Sequence, residues 1–392
     1  MATYQIEDLQ ETLAGEDGDL YHMPKQDETL RIIADIGNTD SKVMIHSHFG
    51  RELCMPQFVR KPNSVEYRNL SAGYKVRRSD FDDSAIFQMD GQGFIVGRHA
   101  LQVGDGENRL GVDKYERDHI GAMLAGALLR LYPKGHPNIE LVVLHPYGLS
   151  IENLKRLGKA VKGAFNITLP NGDKTSYTVS EVIPLEESIA AFQTFVLTTN
   201  GQTYKEPRFS LDPNKQFLIV DIGGWISSMA PGIVTRRGRL EINRSGAVPI
   251  QVGIQTVTQA LSPLLKSKFP ALDRLQEIPD SILFEAVMTN QISISGNDPV
   301  DCSDEVRYAM QPLIRALYNV YTVRPFSGGT PFNGIVVSGG GGAAAFHHLN
   351  ERLFEHPKVY PAESNSDRMR YGAIRGASKG LIGALAKSGL LK

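Results

Sequence analysis

Two aspartates in matching settings are the residues best placed to do chemistry. Asp35 stands in Arg31-Ile-Ile-Ala-Asp-Ile-Gly-Asn-Thr-Asp-Ser-Lys42, and Asp221 in Phe217-Leu-Ile-Val-Asp-Ile-Gly-Gly-Trp-Ile-Ser-Ser228. Aligned on the aspartate, both segments have Ile next, then Gly, and share a Ser farther along, at Ser41 and Ser227. In each, an apolar strand delivers one carboxylate to a turn whose glycine lets backbone N–H groups approach an anion closely. Two such turns facing each other would hold a polyphosphate and its metal. Asp35 and Asp221 would grip Mg²⁺ through its water shell, because that ion keeps several waters. Gly37, Asn38, Gly223 and Gly224 would line the phosphates, and Thr39, Ser41 and Ser227 would add hydroxyls.

A third segment completes the set. Gly334-Ile-Val-Val-Ser338-Gly339-Gly340-Gly341-Gly342-Ala-Ala-Ala-Phe346 is an apolar strand, a glycine run and the start of a small-residue helix. Ser338 and the four glycines would let a flat base or ribose lie against the backbone, while N–H groups at the helix start favour negative charge.

These loops need rigid elements behind them. Ile32 to Ile45, broken at Gly37 to Ser41, reads as a hairpin, and residues 50 to 110 hold short strand-like runs such as Ser84-Ala-Ile-Phe-Gln-Met and Gly93-Phe-Ile-Val. From Lys114 to Tyr132, Ile120, Met123, Leu124, Ala127, Leu128 and Leu131 recur at helical spacing, and Pro133 ends the helix. Ile139 to Leu144 reads as a buried strand. Ser150 can cap a helix that turns Leu154, Leu157, Val161 and Phe165 inward. Pro170-Asn171-Gly172-Asp173 is a hairpin signal between two strands within Asn166 to Val179. A helix follows from about Glu186 to Leu197, then a loop from Thr198 to Lys215. Arg237 to Gly246 reads as a hairpin and Gln251 to Phe269 as a helix. Residues 280 to 322 are expected mostly helical with a polar break at Ser295 to Ser303, and Asp367 to Leu391 is expected to be a helix returning to the first domain.

The order of the three loops resembles that of the actin, heat-shock-70 and sugar-kinase superfamily over about residues 30 to 385. The resemblance narrows at Val182-Ile-Pro-Leu-Glu186-Glu187-Ser188-Ile-Ala-Ala-Phe192, which is similar to the inter-domain helix of the bacterial plasmid-segregation actins, the ParM and StbA group. Phe94-Ile-Val-Gly97 followed by Ala100, and Tyr371-Gly-Ala-Ile-Arg-Gly376-Ala, fit the same group. The resemblance implies an α/β chain of two ribonuclease-H-like domains with a nucleotide cleft between them. The expected divisions are an acidic mobile tail at 1–28, a first domain at 29–190 plus 366–392 with a small insert at about 46–110, and a second domain at 191–365. It also implies that Lys42 turns back toward the phosphates and that Asp221 shares in catalysis. Glu187, matching the family's Glu-Ser-Ile, would position or activate the attacking water. The chain departs from the pattern where Trp225 and Ile226 replace small hydroxyl residues and Ser228 replaces an acid.

Whole-chain properties agree with such a protein. At 392 residues, two domains are the prior expectation. A formal net charge of −1 argues against a dedicated nucleic-acid binder, so contact with DNA is expected only through a partner. Two cysteines, Cys54 and Cys302, are too few for a disulfide framework and point to a reducing cytoplasm. Because no apolar run approaches the length of a membrane span, no membrane association is expected. The histidine pairs His46 with His48 and His347 with His348 lack a third metal ligand.

The expected function is therefore an Mg²⁺-dependent ATPase or GTPase that self-associates into filaments. By resemblance, it would drive plasmid DNA segregation through a ParR-like centromere-binding adaptor. The alternative is a small-molecule kinase of the same fold, acting on a sugar or acid.

Overall fold

The computed structural model describes residues 28–46, 52–73, 83–102, 107, 109, 113–199, 202, 212–236, 240–243, 246–293, 298–323, 332–352, 359–362 and 369–387. The expected acidic tail and His48 lie outside the described residues. The described residues fall into two compact units, one within Met1–Lys205 and Ala373–Lys392, the other within Glu206–Gly372.

The first unit is built on strands β1 (Leu30–Ile36), β2 (Asp40–Ile45), β3 (Leu53–Pro56), β4 (Val59–Arg60), β5 (Ser84–Met89), β6 (Gln92–Gly97), β7 (His136–His145), β8 (Gly163–Thr168) and β9 (Lys174–Glu186). They form one sheet in the order β3-β2-β1-β7-β9-β8-β5-β6-β4. β1 is buried along its whole length, as a strand covered on both faces must be, and it runs parallel to β7 and antiparallel to β2. β9 is parallel to β7. Helices α1 (Ser64–Gly73), α2 (Arg98–Gln102), α3 (Ala122–Leu131), α4 (Ile151–Val161) and α5 (Glu187–Val196) complete this part of the chain. Leu30, Ile32, Phe87, Leu124, Phe165 and Tyr177 share its core.

The second unit contains β10 (Gln216–Ile222), β11 (Ser227–Val234), β12 (Leu240–Ile242), β13 (Val248–Ile250), β14 (Gln291–Ile292), β15 (Val300–Asp301), β16 (Gly334–Ser338) and β17 (Val359–Pro361). Its main sheet runs β12-β11-β10-β16-β17, with β13 also on β11. β10 is antiparallel to β11 and parallel to β16, which is parallel to β17. Helices α6 (Ile254–Lys268), α7 (Pro270–Asp273), α8 (Asp280–Thr289), α9 (Ser303–Ala309), α10 (Gln311–Val323) and α11 (Gly340–Arg352) belong here. Leu218, Val220, Val257, Leu261, Leu313 and Val337 share its core.

The five strands β3-β2-β1-β7-β9 therefore repeat as β12-β11-β10-β16-β17, three antiparallel and then two parallel. Both units are ribonuclease-H-like. The helix α12 (Gly372–Lys387) lies almost wholly within the first unit.

Three local expectations need correction. Phe165 faces the core from β8, because α4 stops at Val161 and the chain turns at Gly163, whose φ is +96°. The polar break after α8 supplies β15, which pairs with β14. The helix expected from Lys114 begins only at Arg117 with a π-helical turn, so Lys114 and Tyr115 lie on the loop before it. Among the described residues, no helix is long and apolar enough to cross a membrane.

Candidate functional site

In the first unit the predicted residues gather at the carboxyl ends of the parallel strands, where open α/β sheets place their ligands. Asp35 sits near the end of β1, opposite Lys42 on β2 and opposite Leu144 on β7. Leu144 is in turn level with Leu185 on β9, just before Glu187 opens α5. Two strand spacings separate Asp35 from Leu185, roughly 10 Å. Glu187 thus occupies the same edge as Asp35, at a helix start whose unpaired N–H groups favour a carboxylate.

Lys42 reaches across the hairpin to Asp35, Nζ to Oδ2 at 3.0 Å, with both side chains largely buried. Burial pulls the Lys42 pKa down, but electrostatic interaction with Asp35 first, then with Cys54 and Asp40, more than offsets it, and the net direction is upward. Lys42 is a fixed cation at neutral pH. The Ser41 hydroxyl donates to Gln57 Oε1 at 3.3 Å and braces the hairpin. Thr39 Oγ1 and Ser188 Oγ, in the first turn and at the start of α5, are buried and have no hydrogen-bond partner among the described residues. Such unsatisfied hydroxyls suit a site that awaits a polar ligand.

Sequence reading missed Lys114. Its ammonium is buried, 5% exposed, and donates to Ile36 O at 2.6 Å, the carbonyl beside Asp35. Burial lowers its pKa to about 8, with Glu187 and Asp35 opposing the shift and Lys42 adding to it. Neighbouring Tyr115 shifts upward through burial, then through Glu187 and Asp35. The only signal in the chain was a lysine at the start of an apolar helical pattern, a place where lysines usually face water.

The second unit repeats the turn. Asp221 faces Ser228 on β11 as Asp35 faces Lys42 on β2, so the facing residue is a cation in one hairpin and a hydroxyl in the other. Gly37 N–H closes the first turn on Asp40 O at 3.0 Å, and Gly223 N–H closes the second on Ile226 O at 3.1 Å. A Cβ on either glycine would press on the same carbonyl, at 2.8 and 2.6 Å. That crowding is why both turns carry glycine at this position. Asn38 lies within the first turn, and Gly224 and Trp225 within the second. The carbonyls of Gly223 and Gly224 accept from the first N–H groups of α6, those of Ile254 and Gln255. Ser227 is buried and donates to Val252 O at 2.7 Å.

Asp221 is also level with Ser338 on β16, whose hydroxyl donates to Asp221 Oδ1 at 2.6 Å. The strand end that opens the glycine run thus orients the second aspartate. Gly339 turns the chain with φ +89°, and a Cβ there would run into Ile222 O and Asp221 Oδ1. A Cβ on Gly341 would meet Ile222 Cγ2 at 2.7 Å. Gly339 and Gly341 are therefore required by the close approach of α11 to the second turn. Gly340 is more open, with Arg370 Cγ its nearest neighbour at 4.0 Å, and Gly342 packs toward Val337 and Met369. The Arg370 guanidinium lies 5.6 Å from the Phe284 ring centroid, beside the run.

Each turn presents one oriented carboxylate, and no group of three metal-ligating side chains occurs among the described residues. A single carboxylate in a turn of this kind fits Mg²⁺ held largely by water and phosphate oxygens.

Residues 34–189 match the family model of the N-terminal domain of actin-like proteins. Among solved structures, the chain is similar to the actin-like protein Alp7A, with TM-score 0.69 and 13% identity over 92% of this chain and 98% of that one. It is similar to Ta0583, an archaeal actin homologue, with TM-score 0.67 and 12% identity over 91% and 99% of the two chains. The fold is actin-like. A ParM filament from Clostridium botulinum, 15-stranded, matches at TM-score 0.66 and 14% identity over 89% and 99%. A search of curated protein sequences gives no match. In this actin-like chain the first-turn residues, Lys114 and Glu187 all belong to the matched N-terminal region.

Proposed function

We propose that this actin-like chain is an Mg²⁺-dependent nucleoside triphosphatase, acting on ATP or GTP, that forms filaments and segregates plasmid DNA in the cytoplasm. The observation that carries the reading is the repeated turn, in which the same aspartate position and glycine closure are built once in each unit. A pair of one-carboxylate turns is chemistry suited to a metal–polyphosphate. The ADP complex of the archaeal actin homologue Ta0583 supports nucleotide binding, and the ParM filament supports self-association.

Asp35 and Asp221 would hold Mg²⁺ through water, and the bound ion would neutralise phosphate charge. Lys42 holds Asp35 in place by pairing with it, and Ser338 holds Asp221 by donating to it. Glu187 orients or deprotonates the attacking water. The glycine run from Gly339 to Gly342 supports the base or ribose. DNA is reached through a ParR-like adaptor, in keeping with a net charge of −1.

The test is to mix purified protein with Mg-ATP or Mg-GTP and follow light scattering and phosphate release together. A rise in scattering followed by a fall as phosphate appears is expected. Phosphate transfer that requires an added sugar or acid, without scattering, would establish the kinase reading instead.

A further inference from the structure

Lys114 is a buried cation whose hydrogen-bonding capacity the protein leaves largely unused. Its ammonium carries three donors, and the one hydrogen bond it makes among the described residues goes to Ile36 O. It is 5% exposed, so water does not readily satisfy the rest. Asp35, the nearest acid on β1, is already paired with Lys42. Burying a charge with spare donors is costly unless a ligand supplies the acceptors. The hydrogen bond to Ile36 O sets the ammonium against the end of β1 that leads into the first turn, where the charges of Glu187 and Asp35 act on it. On the proposed nucleotidase reading, the terminal phosphate and the attacking water meet there.

We infer that Lys114 contacts the substrate, its spare donors holding the terminal phosphoryl group of the bound triphosphate beside Glu187. The inference rests on the nucleotide reading above and adds a residue to it. Lys42 is committed to Asp35, whereas Lys114 makes no ion pair among the described residues. It therefore reads the phosphate that ATP or GTP has and the diphosphate lacks.

The test compares binding of Mg-AMP-PNP and Mg-ADP to the full chain by calorimetry. Lys114→Met is expected to weaken AMP-PNP about ten- to a hundredfold, the effect of losing hydrogen bonds to a charged group, and ADP by no more than about twofold. Lys114→Arg should restore part of the preference for triphosphate. Equal losses for the two nucleotides would make Lys114 a brace for the loop and overturn the inference, as would no loss at all. Should the Met variant fail to fold, acylation of the wild-type lysines followed by mass spectrometry decides. Protection of Lys114 by AMP-PNP beyond that given by ADP supports the contact, and equal labelling with both nucleotides overturns it. Wild-type protein that binds neither nucleotide defeats the nucleotide reading itself; normal binding with an unaltered Met variant defeats only this assignment.

Discussion

At the scale of single residues, the proposed site divides its labour between carboxylates that are held and a carboxylate that acts. Asp35 and Asp221 are each fixed by a neighbour, Lys42 in one unit and Ser338 in the other. Glu187 opens a helix, and its charge opposes the lowering of the Lys114 pKa. Glu187→Ala should therefore leave nucleotide-dependent scattering intact while slowing phosphate release about a hundredfold or more, the usual worth of a positioned general base. Asp221→Ala should abolish release and with it filament turnover. Phosphate release at the wild-type rate in both variants would reject these roles. Trp225 is the only tryptophan in the chain and lies in the second turn, so its emission should change on addition of Mg-nucleotide. A spectrum unmoved by saturating nucleotide would count against that turn as part of the site.

At the scale of elements, two helices of the first unit are packed closely enough to set a sharp contrast. A Cβ on Gly376 of α12 would collide with the backbone of α5 at Ala190 and Thr194, which cannot give way. A Cβ on Gly380, one turn later, would have the Gln193 side chain as its nearest neighbour, at 2.5 to 2.7 Å. Lys379 adds a hydrogen bond to Thr194 O at 3.1 Å, and Arg375 pairs with Glu52 within the same unit. Gly376→Ala should cost about 1–3 kcal/mol by overpacking. Gly380→Ala should fall near neutral, since Gln193 can swing aside and alanine gains about 1 kcal/mol of helix propensity. Urea midpoints of the two variants measure the difference, and equal midpoints would refute the close packing at Gly376. The fit ties α12 to the helix that carries Glu187, although the two segments are distant in sequence.

At the scale of the whole molecule, stability should depend on pH through His119. This side chain is 1% exposed, its Nε2 has no hydrogen-bond partner among the described residues, and it lines a cavity of about 330 Å³ with Arg60, Lys61, Glu107 and Arg109. Burial, followed by Arg109, Lys114 and Lys61 and opposed by Glu107, lowers its pKa to about 4. The folded state keeps the ring neutral where the unfolded chain, with the ordinary value near 6.5, takes up a proton. Its contribution is full above pH 6.5 and is lost as pH falls through about 4, at most about 3 kcal/mol. Subtracting the stability of His119→Asn from that of the wild type at each pH should reveal that slope. A difference constant between pH 7 and pH 4 would show that His119 titrates alike in both states.

The chain by itself determined the local grammar of this protein: which strands end in aspartate, where glycine must follow, and that the arrangement occurs twice. These are short-range matters, because a strand, its turn and the returning strand lie within a few residues, and a missing Cβ at Gly37 or Gly223 is a local necessity. Tertiary structure alone decided which distant side chains meet. Ser338 finds Asp221 only when β16 lies beside β10, Gly376 settles on Ala190 only when α12 returns to α5, and Lys114 leaves the expected helix to be buried against Ile36. Burial and long-range pairing give a lysine or a serine its role here, and neither property is carried by the residue's neighbours in sequence.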